Sequence, residues 1–373
     1  MNRAIELRHQ LHQNPELSGG EAKTAERIIR FFTPLCPEAL IKKLGGNGIA
    51  VVFSGNDPGP TVLLRAELDA LPIQETIDGP YRSIYPNISH KCGHDGHMAI
   101  LAAVGIKLAA KRPLQGRVVL LFQPAEETGA GAAAVIADPR YAEIAPDLVF
   151  ALHNLPGFPL GQVVIRDGTF ASASRGITIK LSGATAHAAQ PETGCSPALA
   201  MAQIITRLSG LSAQSFASAE AAFVTIVGAQ LGSKSFGTAP GKAEIWATLR
   251  SETDAVMESM IAETEQIISA AAFASSLDYS INYSDIFQAT VNSQSANDVI
   301  RSSCRNESVV EPAKPFRWSE DFGCFTSMTS GALFGIGAGK GSAELHNSHY
   351  DFPDALIEPA AQLFCEIIDR SLG

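Results

Sequence analysis

Residues 116–153 read GRVVLLFQPAEETGAGAAAVIADPRYAEIAPDLVFALH, and the fold class follows from them. Two runs, GRVVLLFQ and DLVFALH, are continuously apolar rather than alternating. Such strands are buried on both faces, as in a parallel sheet covered by helices. Between them, PAEETGAGAAAVI reads as a loop leading into a helix. Upstream, IKKL, GIAVVFSG and PTVLLRAEL are further extended runs separated by Gly, Asn and Pro turns. MAILAAVGIKLAA predicts a buried helix from about residue 96 to 110, stopped before Pro113. The alternation predicts an α/β fold with a mostly parallel sheet.

In such sheets ligands bind beyond the carboxyl ends of the strands. The chemically loaded residues fall there. Glu67 and Asp69 follow TVLLR, Glu126 and Glu127 follow VVLLFQ, and His153 ends DLVFALH. Near the amino terminus, residues 2–13 predict a helix. Ser18 with Glu21 resembles a capping box opening a second helix near 20–32.

The texture changes near residues 168–176. GITIKLSG, SPALAMAQIITRLSGL, AAFVTIVGAQLG, KAEIWATLR, DAVMESMIAETEQIISAAAF and LDYSINYS read in order as β-α-β-β-α-β. That is the ferredoxin-like unit. The expected organisation is a discontinuous catalytic domain, 1–171 and 287–373, with a lid domain, 172–286, inserted in its middle. After the lid come helices near 292–303 and 320–328, the glycine-rich strand GALFGIGAGKG, the loop ELHNSHYDF and a last helix near 354–371.

Length and charge narrow the function classes. A chain of 373 residues exceeds what one core usually serves, so two domains are expected. With 28 Lys+Arg against 38 Asp+Glu the net charge is −10, and an acidic chain without a basic run repels nucleic acid. Six scattered cysteines with no C-x-x-C pair fit a reduced compartment. No apolar run is long enough for a membrane span, and MNRAIELRHQLHQNPELS has no signal-peptide core. The expectation is a soluble cytoplasmic protein with no nucleic-acid or membrane partner.

HKCGHDGH, residues 90–97, packs three histidines, a cysteine and an aspartate into eight positions. Cys92 and His94, just before a helix, suit zinc, and less selectively manganese, cobalt or nickel. Alternatively Cys92 is a thiol nucleophile with a histidine base, or the stretch is a polar helix start around a buried thiol. Glu126 and Glu127 point in different directions. One can bind metal while the other acts as general base toward a metal-activated water. His346 or His349 is a further ligand candidate. The glycine-rich GIGAGKG, 335–341, matches neither dinucleotide nor P-loop patterns, and G-x-S-x-G is absent.

Taken together, LHQNPELSGGEAKTA, RAELDALPIQE, HKCGHDGH, QPAEETGAGA, ALHNLPG, GATAHAAQP, SEDFG and LHNSHYDFPD resemble one family across nearly the whole chain. It is the aminoacylase/hippurate hydrolase/indole-acetyl-amino-acid hydrolase family of dinuclear-metal amidohydrolases, relatives of zinc carboxypeptidases and dipeptidases. The resemblance implies two divalent ions held by Cys92, His94, Glu127, His153 and His346, with Cys92 placed to bridge them. It implies Glu126 as general base, Asp69 as an orienting carboxylate, and His187 in the lid helping to hold the oxyanion or the substrate carboxylate. Arg250, at the end of KAEIWATLR, is a candidate for that carboxylate.

Asp95 and His97 are expected to orient ligands rather than bind metal. Three positions depart from the family pattern. Glu67 stands for its usual Asp, Gly237 for a lid Asn, and Ser196-Pro197 for Asp-Pro. The implied reaction is hydrolysis of an N-acyl amino acid, in a homodimer paired through the lid. Peptide cleavage by a dipeptidase or carboxypeptidase is the alternative, and a catalytically silent binding protein the third reading.

Overall fold

The structure is a computed structural model that describes residues 2–216, 221–304 and 309–373. Contacts divide the chain into two compact units. One comprises Met1–Phe170, Thr290–Pro315 and Glu320–Gly373, the other Ala171–Ala289 and Phe316–Ser319. The strap Phe316–Ser319 belongs with the inserted unit, a placement its sequence does not betray. The amide of Ser172 donates to the carbonyls of Phe316 and Trp318 at 3.1 and 3.0 Å.

The first unit is built on an eight-stranded sheet. Its longer strands are β1 (Ala39–Leu44), β2 (Gly48–Ser54), β3 (Asp57–Glu67), β4 (Gln115–Gln123), β5 (Leu148–Pro156) and β6 (Gly331–Gly339). Their order is β1-β2-β4-β3-β5-β6, followed by the short Val163–Val164 and Val309–Val310. The centre, β4-β3-β5-β6, is parallel throughout, whereas β1-β2-β4 is antiparallel. All four central strands therefore end at one edge. Their apolar runs are buried, as continuous hydrophobicity requires.

Helix α3 (His94–Ala110) packs on β3, the C-terminal helix Ile357–Leu372 and α1 (Asn2–Gln13), which explains why it is apolar nearly all round. The expected capping box does not form. Ser18 Oγ donates instead to Asp69 at 2.6 Å, and Glu21 accepts from the amides of Gly19 and Ala125. The helix α2 (Ala22–Phe32) starts without a side-chain cap. The would-be capping side chains are spent on tying the amino terminus to the strand ends.

Helix α1 buries charge as well as Leu7 and Leu11. Arg8 donates to Asp95 at 2.9 Å, to Asp354 at 2.8 Å and to Asp351. His12 bonds Asp95 and Glu75, both at 2.9 Å. Lys91 Nζ donates to Glu75 and to the Tyr350 carbonyl, both at 2.7 Å.

Burial disfavours the His12 imidazolium, but Asp95 and Glu75 outweigh it and raise His12 from 6.5 to about 9. Burial likewise raises Glu75, yet bonds from His12 and Lys91 bring it from 4.5 down to about 2. A raised histidine stabilises the fold below its unfolded value and loses that contribution as pH rises through about 9. A depressed carboxylate stabilises above its unfolded value and loses it as pH falls toward about 2. The pair should therefore stabilise most between pH 4.5 and 6.5. Melting temperatures of chelator-treated protein across pH test this. His12→Gln should flatten the alkaline limb, and an unchanged limb would refute the assignment.

The inserted unit is the expected β-α-β-β-α-β. Its strands run in the order Ala222–Leu231, Lys242–Ser251, Ala173–Ser182, Asp278–Phe287, all antiparallel. Helices Ala198–Ser209 and Asp254–Ala274 bury Ile204, Met260 and Ile268 against Ile177, Ile179 and Ile245. Alternate residues of Lys242–Ser251 are buried, the pattern of a sheet with one covered face. The Thr253 side chain caps the second helix by accepting from the Val256 amide. No helix among the described residues is long and apolar enough to cross a membrane.

Candidate metal centre

At the carboxyl edge of the central strands, donors from four segments converge. Two groups of three have their donor atoms within 4.8 Å of one another: Cys92, His94 and His153, and Cys92, Glu127 and His346. They share Cys92. A third group of the same tightness joins His94 to Glu126 and Glu127. His153 Nε2 lies 3.5 Å from Cys92 Sγ. His94 Nε2 stands 3.8 Å from carboxylate oxygens of both Glu126 and Glu127, and His346 Nε2 is 3.6 Å from Glu127. His349 is exposed and bonds Thr76 and Ser348 instead.

Local structure aims these groups. Gly93 adopts φ +96, and a Cβ there would lie 2.4 Å from Asn154 Oδ1, so glycine alone fits between Cys92 and His94. His94 Nδ1 donates to the Asp69 carbonyl at 2.8 Å and His153 Nδ1 to the Asn154 carbonyl at 2.9 Å. A carbonyl only accepts, so each Nδ1 carries its hydrogen and Nε2 is the nitrogen left to face the other donors. Asp69 also accepts from the Ser18 hydroxyl and, at 3.0 Å, from the Glu127 amide, so it places two donors at once. Ala125 at φ 50 and His346 at φ 63 are left-handed, an uncommon conformation for residues with a Cβ.

The electrostatics are those of a site short of positive charge. Burial, then repulsion from Glu320, Glu127 and Asp321, holds Glu126 well above the usual carboxyl range. Burial raises Glu127 to about 7 against the pull of His94. Burial and the same glutamates push the Cys92 thiol up, which disfavours a free thiolate nucleophile. Burial and then His97 lower His153 to about 4. His94 is opposed by burial but raised to about 10 by Glu67, Asp69 and Glu127. Buried atoms His94 Nε2, Glu127 Oε1 and Asp69 Oδ1 have no hydrogen-bond partner among the described residues. A soft sulfur, imidazole nitrogens and carboxylate oxygens around unpartnered buried atoms are a donor set that fits a divalent cation such as zinc.

Sequence reasoning passed over a second buried cluster. Arg65 donates to Gln123 at 2.9 Å, Glu320 at 2.8 Å, Asp321 at 2.6 Å and Glu67. Glu126, Glu320 and Asp321 again lie within 4.8 Å. An arginine inside the apolar run TVLLRAEL was the available signal, because a buried guanidinium demands counter-charges. Glu67, longer than the family's Asp, is absorbed by Arg65 and by His97 Nδ1 at 2.6 Å. Asp95 faces Arg8 and His12 rather than the donors. His90 is buried, and neither ring nitrogen has a hydrogen-bond partner among the described residues.

The inserted unit carries the other two candidates. His187 is exposed, pairs with Thr238 in a short antiparallel ladder, and accepts from the Ala189 amide at 3.1 Å. The Gly237 carbonyl takes the Ala188 amide at 3.0 Å. Arg250 donates to the Arg317 carbonyl and the Ser319 hydroxyl, both at 3.0 Å.

A doubly covered sheet with a ferredoxin-like insertion, and Cys, His and Glu donors gathered at its strand ends, is the frame of a hydrolase acting on amides. The pattern of peptidase family M20/M25/M40 matches residues 63–370, and the chain belongs to that family. It is 32% identical over 379 residues to the N-acetyl-L-cysteine deacetylase of Bacillus subtilis, covering 99% of this chain and 88% of that protein. It is 29% identical over 365 residues to the hippurate hydrolase of Campylobacter jejuni, covering 97% and 94%. The fold is shared with a dinuclear metal-binding peptidase of the M20 family from Bacillus subtilis, at TM-score 0.83 and 24% identity, covering 99% of this chain and 97% of that one.

Proposed function

We propose that the protein hydrolyses the amide bond of N-acyl amino acids. The observation that carries this reading is the pair of donor groups sharing Cys92 with Glu126 beside them. The hippurate hydrolase and N-acetyl-L-cysteine deacetylase among its relatives support the substrate class. Cys92, His94, Glu127, His153 and His346 would hold two divalent ions, zinc or else manganese, cobalt or nickel. Bound there, the ions supply positive charge that acidifies water, polarises an amide carbonyl and returns Glu126 to its carboxylate form.

Glu126 then takes a proton from the attacking water and delivers it to the leaving nitrogen. Asp69 keeps His94 and Glu127 in place while it does so. His187 stabilises the developing oxyanion or the substrate carboxylate, and Arg250 is a second candidate for that carboxylate. The inserted unit serves as lid and as the pairing surface of a homodimer.

The reading is tested by assaying N-acetyl and N-benzoyl amino acids beside dipeptides, before and after chelation and with zinc, manganese or cobalt restored. Acyl amino acids should be cleaved, cleavage should stop on chelation, and it should return with metal. Turnover of dipeptides alone would move the assignment to a dipeptidase. Metal counting should find fewer ions in Cys92→Ala and His153→Ala, and wild-type stoichiometry in both would sink the ligand set.

A further inference from the structure

The charged face of α1 lies one step behind the donors. Asp95, held by Arg8 and His12, directly follows His94. Lys91, held through Glu75 by His12, directly precedes Cys92. The Lys91 carbonyl takes the His346 amide at 2.8 Å, and Lys91 Nζ holds the Tyr350 carbonyl of the same loop. Arg8 reaches farther along that loop, to Asp351 and Asp354. Arg8, His12, Lys91, Glu75 and Asp95 are all buried.

Burying so many charges is a poor route to stability, because apolar side chains of similar volume would usually serve as well. What this network does provide is shared anchoring: Asp95 Oδ2 takes both Arg8 and His12, although Asp95 Oδ1 has no hydrogen-bond partner among the described residues. Two loops that each bring donors to the centre share this anchor.

We propose that Arg8 and His12 are positioning residues, through which α1 clamps the Cys92–His94 turn and the His346 loop in ligand geometry before a cation arrives. The inference rests on the metal-site reading above. The side chains of Arg8 and His12 bond none of the candidate donors themselves. The clamp removes the ordering cost that metal binding would otherwise bear.

The test compares zinc affinity of the wild-type chain with that of Arg8→Lys and His12→Gln, by competition with a chromophoric chelator well below the melting temperature. Positioning predicts a Kd weakened about 10–100-fold, and a fall in kcat at little-changed KM on whichever amide the wild type cleaves. A role confined to stability lowers the melting temperature and leaves zinc Kd unchanged, which overturns the proposal. Amide exchange in zinc-free wild type gives a second readout that needs no variant. Gly96, His97 and His346, whose amides bond Gly93 and Lys91 carbonyls, should be protected. Rapid exchange there defeats the clamp even if both variants fail to fold. Wild type that binds no zinc defeats the metal reading instead, and the exchange result still decides the clamp.

Discussion

Glu126→Gln should lower amide hydrolysis about 10²–10⁴-fold, the usual worth of a general acid–base group. It should do so without loss of bound metal or of fold. Glutamine keeps the shape and loses only the ability to accept and return a proton. Its amide can also donate to Glu320 or Asp321, which lie with Glu126 in one tight acidic group. Burial and those neighbours hold Glu126 well above the ordinary carboxyl range, so the metal-free wild type must take up a proton there to fold, a cost that neutral glutamine does not carry. The melting temperature of the variant should match or exceed that of wild type. Activity lost while stability is kept is the pattern of a group retained for chemistry. The measurements are turnover on a cleaved N-acyl amino acid, metal content and a thermal melt. A metal-loaded variant with full turnover would remove Glu126 from the mechanism.

Arg65→Met should be the most destabilising single change near the site, costing about 3–5 kcal/mol or more. The fully buried guanidinium donates to Glu67, Glu320, Asp321 and Gln123. Without it Glu67 keeps only His97, and Glu320 and Asp321 lose the guanidinium that both share. Asp321 already sits at about 7 through burial and Glu320 even with Arg65 beside it. The deficit should shrink as pH falls, because protonated carboxyls need no cation. Arg65→Lys should fall between, since a point charge cannot bridge partners a planar fork reaches together. Urea midpoints of chelator-treated protein at pH 5 and 8 measure both effects. A variant within about 1 kcal/mol of wild type at both pH values would contradict the prediction.

Much of the fold could be read from continuous hydrophobicity. GRVVLLFQ and DLVFALH announced strands buried on both faces, and the inserted β-α-β-β-α-β unit followed from alternation and helix-length runs. Strand order could not be read, because β4 and β5 flank β3 through packing that no local pattern encodes. The candidate donors Cys92, His94, Glu127 and His153, which the structure brings together, were visible because their residue types cluster near predicted strand ends. Choosing His346 over His349 depended on the family resemblance. Glu320 and Asp321 stayed hidden because SEDFG looks like an ordinary helix entrance until Arg65 is seen behind it. Ser18 and Glu21 misled for a related reason. A capping pattern states which bonds a segment can make locally, and a buried Asp69 outcompeted them.

The insertion between β5 and β6 has a consequence for biosynthesis. These strands are paired neighbours in the sheet, from Gly331↔Val149 to Gly337↔Leu155, yet the whole inserted unit is translated between them. While a ribosome is still making that unit, β5 waits with an unpaired edge and a backbone ready to join any other strand. The inserted unit, with its own core, can fold on emergence, whereas the sheet is completed only when the last part of the chain is released. Folding of the catalytic half is then governed by a long-range closure, which is slow. The nascent chain's period of greatest aggregation risk falls in that wait.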